Sequence, residues 1–318
     1  MIKIVVLDGY TLGTSGAEWD IIRALGETTV YDRTPPSEIV SRAKDAEIIL
    51  TNKCVLSGEV IGQLPNLKYI GVLATGYNVV DLKSAANKGI VVTNIPAYST
   101  ESVVQTTFGL IIDCYTKISE LSFSVKEGKW EQSEDFSYYN TSYRELAGKT
   151  LGIIGYGKIG QRICEVAHAF GMKVVVYDKG RAHNERGIVF YSTLEDLLPN
   201  ADIISLHCPL TAENAKMINN KTIALMKQDA VLINTARGAL IDENALAHAL
   251  NSGKLSAVGL DVLSQEPPKG GNPLISAKNA IVTPHIAWAS REARSRLMQI
   301  AASNIQAFLA GEVINKVN

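Results

Sequence analysis

The 318-residue chain reads as an α/β protein of two doubly wound parallel-sheet domains. Two observations predict this. Strand-like apolar runs alternate with helical stretches through the first part of the chain and again through the second, and a glycine pattern that requires a strand before it and a helix after it opens the second part. Each domain is long enough to bury a sizeable core. A composition of 46% hydrophobic and 20% charged residues, with a formal net charge of −1, is that of an ordinary globular protein and gives no general reason to expect nucleic acid or an anionic membrane as partner. No apolar run approaches a membrane span, and MIKIVVLDGY enters a strand rather than a signal peptide, so the cytoplasm is the expected compartment.

In the first domain, strands at 2–7, 28–31, 47–51, 67–73 and 90–94 alternate with helices at 17–25, 37–43 and 81–87, the last ended by Gly89. Residues 99–120 read as one long apolar helix, suited to link the domains or to pack against another subunit. The stretch 128–144 is polar and aromatic, with Trp130, Phe136, Tyr138, Tyr139 and Tyr143, and reads as an exposed loop or as an arm across a partner subunit. The second domain opens near Leu146 and continues through strands at 151–154, 173–177, 188–191, 202–206, 230–234, 256–260 and 280–283. Between two of these, Asp242 N-caps a helix closed by Gly253. The closing stretch 290–311 is an amphipathic helix with no strand after it, expected to return to the first domain. That sets the expected boundaries at 1–98 with 290–318, and 99–289. Cys54, Cys114, Cys164 and Cys208 form neither C-x-x-C nor a cysteine–histidine metal spacing, so neither a disulfide nor a metal is expected.

Residues 149–179, KTLGIIGYGKIGQRICEVAHAFGMKVVVYDK, organise the second domain. The apolar run 151–154 reads as a buried strand, and Gly155, Gly157 and Gly160 then supply G-x-G-x-x-G where a helix must begin. The first glycine permits the turn, the second lets a pyrophosphate approach the backbone, and the third lets the helix pack on the strand, with the phosphates at the helix's positive end. The next strand ends in Asp178, placed to accept hydrogen bonds from an adenosine ribose and to repel a 2′-phosphate. Strand, helix, second strand and terminal acid in this order predict a Rossmann dinucleotide site with NAD as its cofactor. Lys179 and Arg181 stand near enough to soften the discrimination against NADP.

In open parallel sheets ligands collect beyond the carboxyl ends of the strands. Three strand ends carry unusual polar groups: Thr235, Ala236 and Arg237; Asp261, then Glu266; and His285. Arginine can grip a planar carboxylate through two parallel hydrogen bonds. Histidine can give a proton to a carbonyl oxygen near neutral pH, and a glutamate beside it would favour the charged form and fix its orientation. These are the parts needed to reduce a 2-keto acid. Taken singly, the arginine reads as a surface ion pair and the histidine as a loop residue, and it is their joint occurrence downstream of a nucleotide loop that points to chemistry. Of the other histidines, His168 and His248 fall within helices, His183 in a polar loop, and His207 in a loop facing the cofactor.

At these residues the chain resembles the D-isomer-specific 2-hydroxyacid dehydrogenase family. The matching pieces are GYGKIG at 155–160, HCPLT at 207–211, INTARGALIDENAL at 233–246, GLDVLSQEPP at 259–268 and TPHIAWAS at 283–290, with ATGYNVVD at 74–81 and NIPAYSTESVVQ at 94–105 in the first domain. The resemblance implies a hydride-transfer homodimer with a flavodoxin-like substrate domain beside the Rossmann domain. By position Arg237 matches the substrate-binding arginine, Glu266 the histidine partner and His285 the acid/base. Lys158 and Ile159 fall on the phosphate-contacting turn, Asp178 on the ribose acid and Asp261 on the carboxylate near the nicotinamide amide. Cys208, Pro209, Leu210, Thr235, Ala236 and Thr107 fall on cofactor-lining positions. The amides around Thr75 and Gly76 match the place where the small domain holds the substrate carboxylate. Ala74 and Thr75 stand in a segment that is commonly more glycine-rich, and Gln105 replaces a frequent glutamate.

Within the family, TNKCVLSGEVI, ATGYNVVD and Trp288 look most like glycerate dehydrogenases, also called hydroxypyruvate reductases. Asn52 and Lys53, with Trp288, are the groups expected to meet the substrate's third carbon. A D-lactate dehydrogenase or broad 2-keto acid reductase is the alternative if Asn52 and Lys53 merely face solvent. A co-repressor that senses NAD is the alternative of another class, disfavoured by the absence of a long polar tail. Hinges near 96–99 and 288–291 are expected to close the domains over the ligands.

Overall fold

The computed structural model describes residues 1–13, 17–139, 143–179 and 187–318, which form two compact units: Met1–Ser99 with Ala289–Asn318 (unit 1), and Thr100–Trp288 (unit 2). Residues 140–142 of the aromatic loop, Arg181 and His183 lie outside the described residues.

In unit 1, β1 (Lys3–Val6), α1 (Asp20–Arg23), β2 (Glu27–Val30), α2 (Ile39–Ala43), β3 (Ile48–Thr51), α3 (Gly58–Gly62), β4 (Tyr69–Val72), α4 (Leu82–Asn87) and β5 (Val91–Thr93) follow in turn. The strands form one sheet in the order β2-β1-β3-β4-β5, and every neighbouring pair is parallel. β3 and β4 are buried along their whole length, the reason their sequences run apolar without alternating. Helix α3 was not expected. It spans five residues, little more than a turn, too short for a helical period to register, and Ser57 starts it by accepting from the Val60 amide.

Unit 2 opens with α5 (Thr100–Thr116) and α6 (Ile118–Lys126). These correct the single helix expected over 99–120. Lys117 adopts a left-handed φ of 55° and ends the first segment, while the Asp113 carboxylate accepts from the Ser119 amide at 2.9 Å and starts the second. Then come β6 (Thr150–Ile154), α7 (Lys158–Ala169), β7 (Lys173–Tyr177), β8 (Ile188–Tyr191), α8 (Leu194–Leu197), β9 (Ile203–Leu206), α9 (Asn220–Leu225), β10 (Ala230–Asn234), α10 (Glu243–Asn251), β11 (Leu255–Leu260) and β12 (Ala280–Val282). The sheet is parallel throughout in the order β12-β11-β10-β9-β6-β7-β8. An all-parallel sheet must be covered on both faces. Val104, Phe108 and Ile111 of α5 and Ile163 of α7 share one core with Ile153, Val231 and Ile233, whereas Leu197, Leu246 and Leu250 share the other with Ile204 and Leu232. Asp242 caps α10 through the Ala245 amide, and Gly253, with φ of 75°, follows its end.

The last helix, α11 (Arg291–Leu309), belongs to unit 1, where Ala293, Leu297, Ala301 and Ile305 recur every fourth residue as its buried stripe.

Candidate active site

The strand order of unit 2 reverses between β6 and β9, and the loops that leave their carboxyl ends diverge there. Gly155 leaves β6 with φ of 95° and donates its amide to the Tyr177 carbonyl at 2.8 Å; a Cβ here would come within 2.7 Å of the Cys208 amide nitrogen. A Cβ on Gly160 would collide with the Gly155 carbonyl oxygen, but one on Gly157 would meet nothing within 4 Å. The first bond that closes this helical turn, Gln161 N to Gly157 O at 2.9 Å, leaves the amides of Lys158 and Ile159 ahead of it, and Gly157 offers them no side-chain cap. An open space floored by glycine and headed by uncapped amides fits a dinucleotide pyrophosphate.

Asp178 follows β7, as an acid for the ribose must. Lys179, one of the two cations expected to soften discrimination against NADP, bonds Glu213 at 2.5 Å in an exposed pair. After β9, Asn214 pins the next loop: its Nδ2 donates to the Pro209 carbonyl at 2.8 Å and its Oδ1 accepts from the Thr211 amide at 2.7 Å. Cys208, whose thiol burial pushes up to about 11, and the exposed Pro209 and Leu210 are shaped by this clasp.

Burial pushes the neighbouring His207 imidazole from 6.5 down to about 3, and its Nε2 lies 2.7 Å from Ser205 Oγ. A ring held neutral in this way is no general acid. It also couples folding to pH. Between about 3 and 6.5 the unfolded chain binds a proton that the folded chain refuses, so stability is lost as pH falls through that window and is unaffected above it. The slope is at most about 1.4 kcal/mol per pH unit. On acidification from about pH 6.5 to about 4.5 the wild type should lose more melting temperature than His207→Asn, and parallel losses in a thermal melt would refute the assignment.

The remaining side chains gather at the carboxyl ends of β10, β11 and β12, which are sheet neighbours. The fully buried Asn234 shapes the turn after β10: its Oδ1 accepts from the Ala236 amide and its Nδ2 donates to the Arg237 carbonyl, both at 2.9 Å. Arg237 is exposed, with one guanidinium N–H donated to the Ala236 carbonyl at 2.7 Å. Thr235 meets Thr107 of α5 hydroxyl to hydroxyl at 3.1 Å. Asp261, buried after β11, accepts from Thr283 Oγ1 at 2.5 Å and the Ile286 amide at 2.9 Å through Oδ1, and from the Ala287 amide at 2.8 Å through Oδ2. These bonds, with His285 N donated to the Asp261 carbonyl at 2.8 Å, hold His285 at a φ of 55° that costs a β-carbon residue conformational energy.

His285 Nδ1 lies 2.6 Å from Glu266 Oε2, and Glu266 Oε1 accepts from the Leu263 amide at 3.0 Å. A carboxylate only accepts, so the shared proton belongs to Nδ1, leaving Nε2 with no partner among the described residues. Half-buried Trp288 donates Nε1 to the His285 carbonyl at 2.9 Å. Arg237, Glu266 and His285 thus share one edge of one sheet. Asn234 and Asn214 escaped sequence reading, because an asparagine at a strand end or in a loop carries no signal until its backbone partners are known.

In unit 1, Thr75 and Gly76 follow β4. The Thr75 hydroxyl donates to the Ile95 carbonyl at 2.9 Å, its own carbonyl accepts from Asn94 Nδ2 at 2.8 Å, and the amides of Thr75 and Gly76 have no acceptor among the described residues. Asn52, after β3, does not face solvent: it is buried and donates Nδ2 to Thr11 Oγ1 at 3.1 Å, while Lys53 is exposed.

The family model described as D-isomer specific 2-hydroxyacid dehydrogenase, NAD binding domain, matches residues 108–287. A hydroxypyruvate reductase of Blautia hydrogenotrophica is 48% identical over 322 residues, covering 99% of both chains. A glycerate dehydrogenase of Methylorubrum extorquens is 42% identical over 318 residues, 99% of this chain and 98% of the other. Among solved structures, the D-lactate dehydrogenase of Aquifex aeolicus complexed with NAD and lactic acid superposes with a TM-score of 0.82 at 33% identity, covering 98% of this chain and 96% of that one.

Proposed function

We propose that this chain, which belongs to the D-isomer specific 2-hydroxyacid dehydrogenases, reduces hydroxypyruvate to D-glycerate and, as a second reaction, glyoxylate to glycolate. The observation that carries the chemistry is the Glu266–His285 pair at 2.6 Å, with the exposed Arg237 after β10 of the same sheet. Arg237 grips the substrate carboxylate, and within unit 1 the Thr75 and Gly76 amides are assigned to the substrate. Glu266 holds Nδ1 so that Nε2 faces the keto oxygen and gives it a proton. Bound NADH supplies the hydride that C2 takes up, and the keto acid becomes the hydroxy acid with no other product from the substrate.

The residues of unit 2 are assigned to the cofactor: Gly155, Gly157, Gly160 and the Lys158 and Ile159 amides to the pyrophosphate, Asp178 to the ribose, and Cys208, Pro209, Leu210, Thr107, Thr235 and Ala236 to its flanks. Among the described residues three donors use the Asp261 carboxylate, leaving Oδ2 a second acceptor position for the nicotinamide amide. Unit 1 is assigned to the substrate. Asn52 and Lys53, with Trp288, select the third carbon, where a hydroxymethyl group can pair and a methyl cannot, a difference of about 1–3 kcal/mol.

A panel of hydroxypyruvate, glyoxylate, pyruvate and phosphohydroxypyruvate, each with NADH and with NADPH, is expected to show hydroxypyruvate ahead of pyruvate by roughly ten-fold or more and NADH ahead of NADPH. If pyruvate leads, the chain is better called a D-lactate dehydrogenase or broad 2-keto acid reductase. If no acid is reduced although NADH binds, an NAD-sensing role replaces the enzymatic one. A cytoplasmic homodimer completes the proposal. In its support, the four cysteines are free, and Ile118, Phe123, Trp130, Phe136, Tyr139 and Tyr143 expose apolar surface along one segment of unit 2.

A further inference from the structure

Unit 1 contains a carboxylate that the scheme above leaves without a duty. Its strand order turns between β1 and β3, with β2 on one side and β4 and β5 on the other, so the loops leaving these two strands are neighbours at their carboxyl ends. Asp8 follows β1; Asn52, Lys53 and Cys54 follow β3. Asp8 Oδ1 accepts from the Asn52 amide at 2.8 Å, and Oδ2 accepts from the Lys53 amide at 2.5 Å, the Cys54 amide at 2.9 Å and Thr51 Oγ1 at 3.2 Å. Four consecutive residues therefore point their donors at one side chain. The same loop delivers Asn52, buried and bonded to Thr11, and Lys53, exposed.

We propose that Asp8 is a positioning residue for substrate selection: it fixes the backbone of 51–54 so that Asn52 and Lys53 stand where they can read the third carbon of the substrate. The inference rests on the assignment of Asn52 and Lys53 to the substrate. The chemistry demands a carboxylate. Both oxygens accept, and all four donors are satisfied, whereas an asparagine would keep one accepting oxygen and turn an N–H₂ toward N–H groups that need an acceptor. A loop released in this way keeps its residues and loses their placement, which a binding step feels more than proton transfer on another unit.

The test compares Asp8→Asn and Asp8→Glu with wild type on hydroxypyruvate and on glyoxylate, which has no third carbon, with NADH binding followed by fluorescence. For hydroxypyruvate KM should rise about ten-fold with kcat changed by about two-fold at most, glyoxylate should change less, and NADH affinity should hold. The ratio of the two specificity constants therefore falls. Asn52→Ala and Lys53→Met separate the proposal from its premise. If neither moves the ratio, the assignment of this loop to the substrate fails and the role of Asp8 fails with it. If they lower the ratio and the Asp8 variants do not, the Asp8 proposal alone is wrong. Should Asp8→Asn not fold, Asp8→Glu decides, since it keeps the charge and displaces it by one methylene; if neither folds, Asp8 is a folding residue and the proposal is overturned.

Discussion

His285→Ala is expected to lower the turnover of 2-keto acid reduction by about 10² or more, the usual worth of a general acid, while NADH binding persists. The structure separates the ring from the scaffold. What holds the segment is backbone: His285 N donates to the Asp261 carbonyl, and its own carbonyl accepts from Trp288 Nε1 at 2.9 Å. Removing the imidazole leaves both bonds, and alanine carries the same φ of 55° that histidine already bears. A loss of rate without a loss of melting temperature would therefore be chemical. Glu266→Gln provides the graded companion: the amide oxygen can still accept from Nδ1 and hold the ring's orientation, so turnover should fall by less than in His285→Ala. Steady-state rates decide both. Turnover within about three-fold of wild type in His285→Ala would remove the acid from the scheme.

Arg237→Ala should cost the specificity constant about 2–5 kcal/mol, roughly thirty-fold to several thousand-fold, with most of it in KM. Again the backbone is secured independently, here by Asn234 on either side of the arginine, so the variant should fold. Among the described residues only one guanidinium N–H is committed, to the Ala236 carbonyl, which leaves the outer donors for a carboxylate. Arg237→Lys should recover little, because an ammonium restores the charge without the planar fork. Full recovery with lysine would mean that the site uses a point charge, and an unchanged KM in the alanine variant would mean that the carboxylate is held elsewhere.

Much of this protein is legible from patterns that span few residues. Gly155, Gly157 and Gly160 between two apolar strands disclose the nucleotide turn because the close approaches they permit are local in the chain. The central strands β3 and β4 announce themselves because parallel strands buried on both faces run apolar without alternating. The break at Lys117 was not legible. Asp113 can extend a helix or start a new one, and nothing within the apolar run 99–120 says which until its carboxylate is seen on the Ser119 amide. Helix α3 stayed hidden for a related reason, since one turn is shorter than the period by which helices are recognised.

By itself the sequence determined the α/β class, the alternation that forces parallel sheets and the NAD loop, and it singled out Arg237, Glu266 and His285 as candidates for the reacting set. These follow from residue type and order, which the chain states directly. Only the tertiary structure decided which atoms meet. It joined Glu266 to Nδ1 of His285 across 19 residues, set Asp261 under the 283–287 segment, committed Lys179 to Glu213, and brought Asp8 to Asn52 across 44 residues of chain. Such pairings depend on strand order and register, and these are chosen by the packing of the whole sheet rather than by any stretch of it.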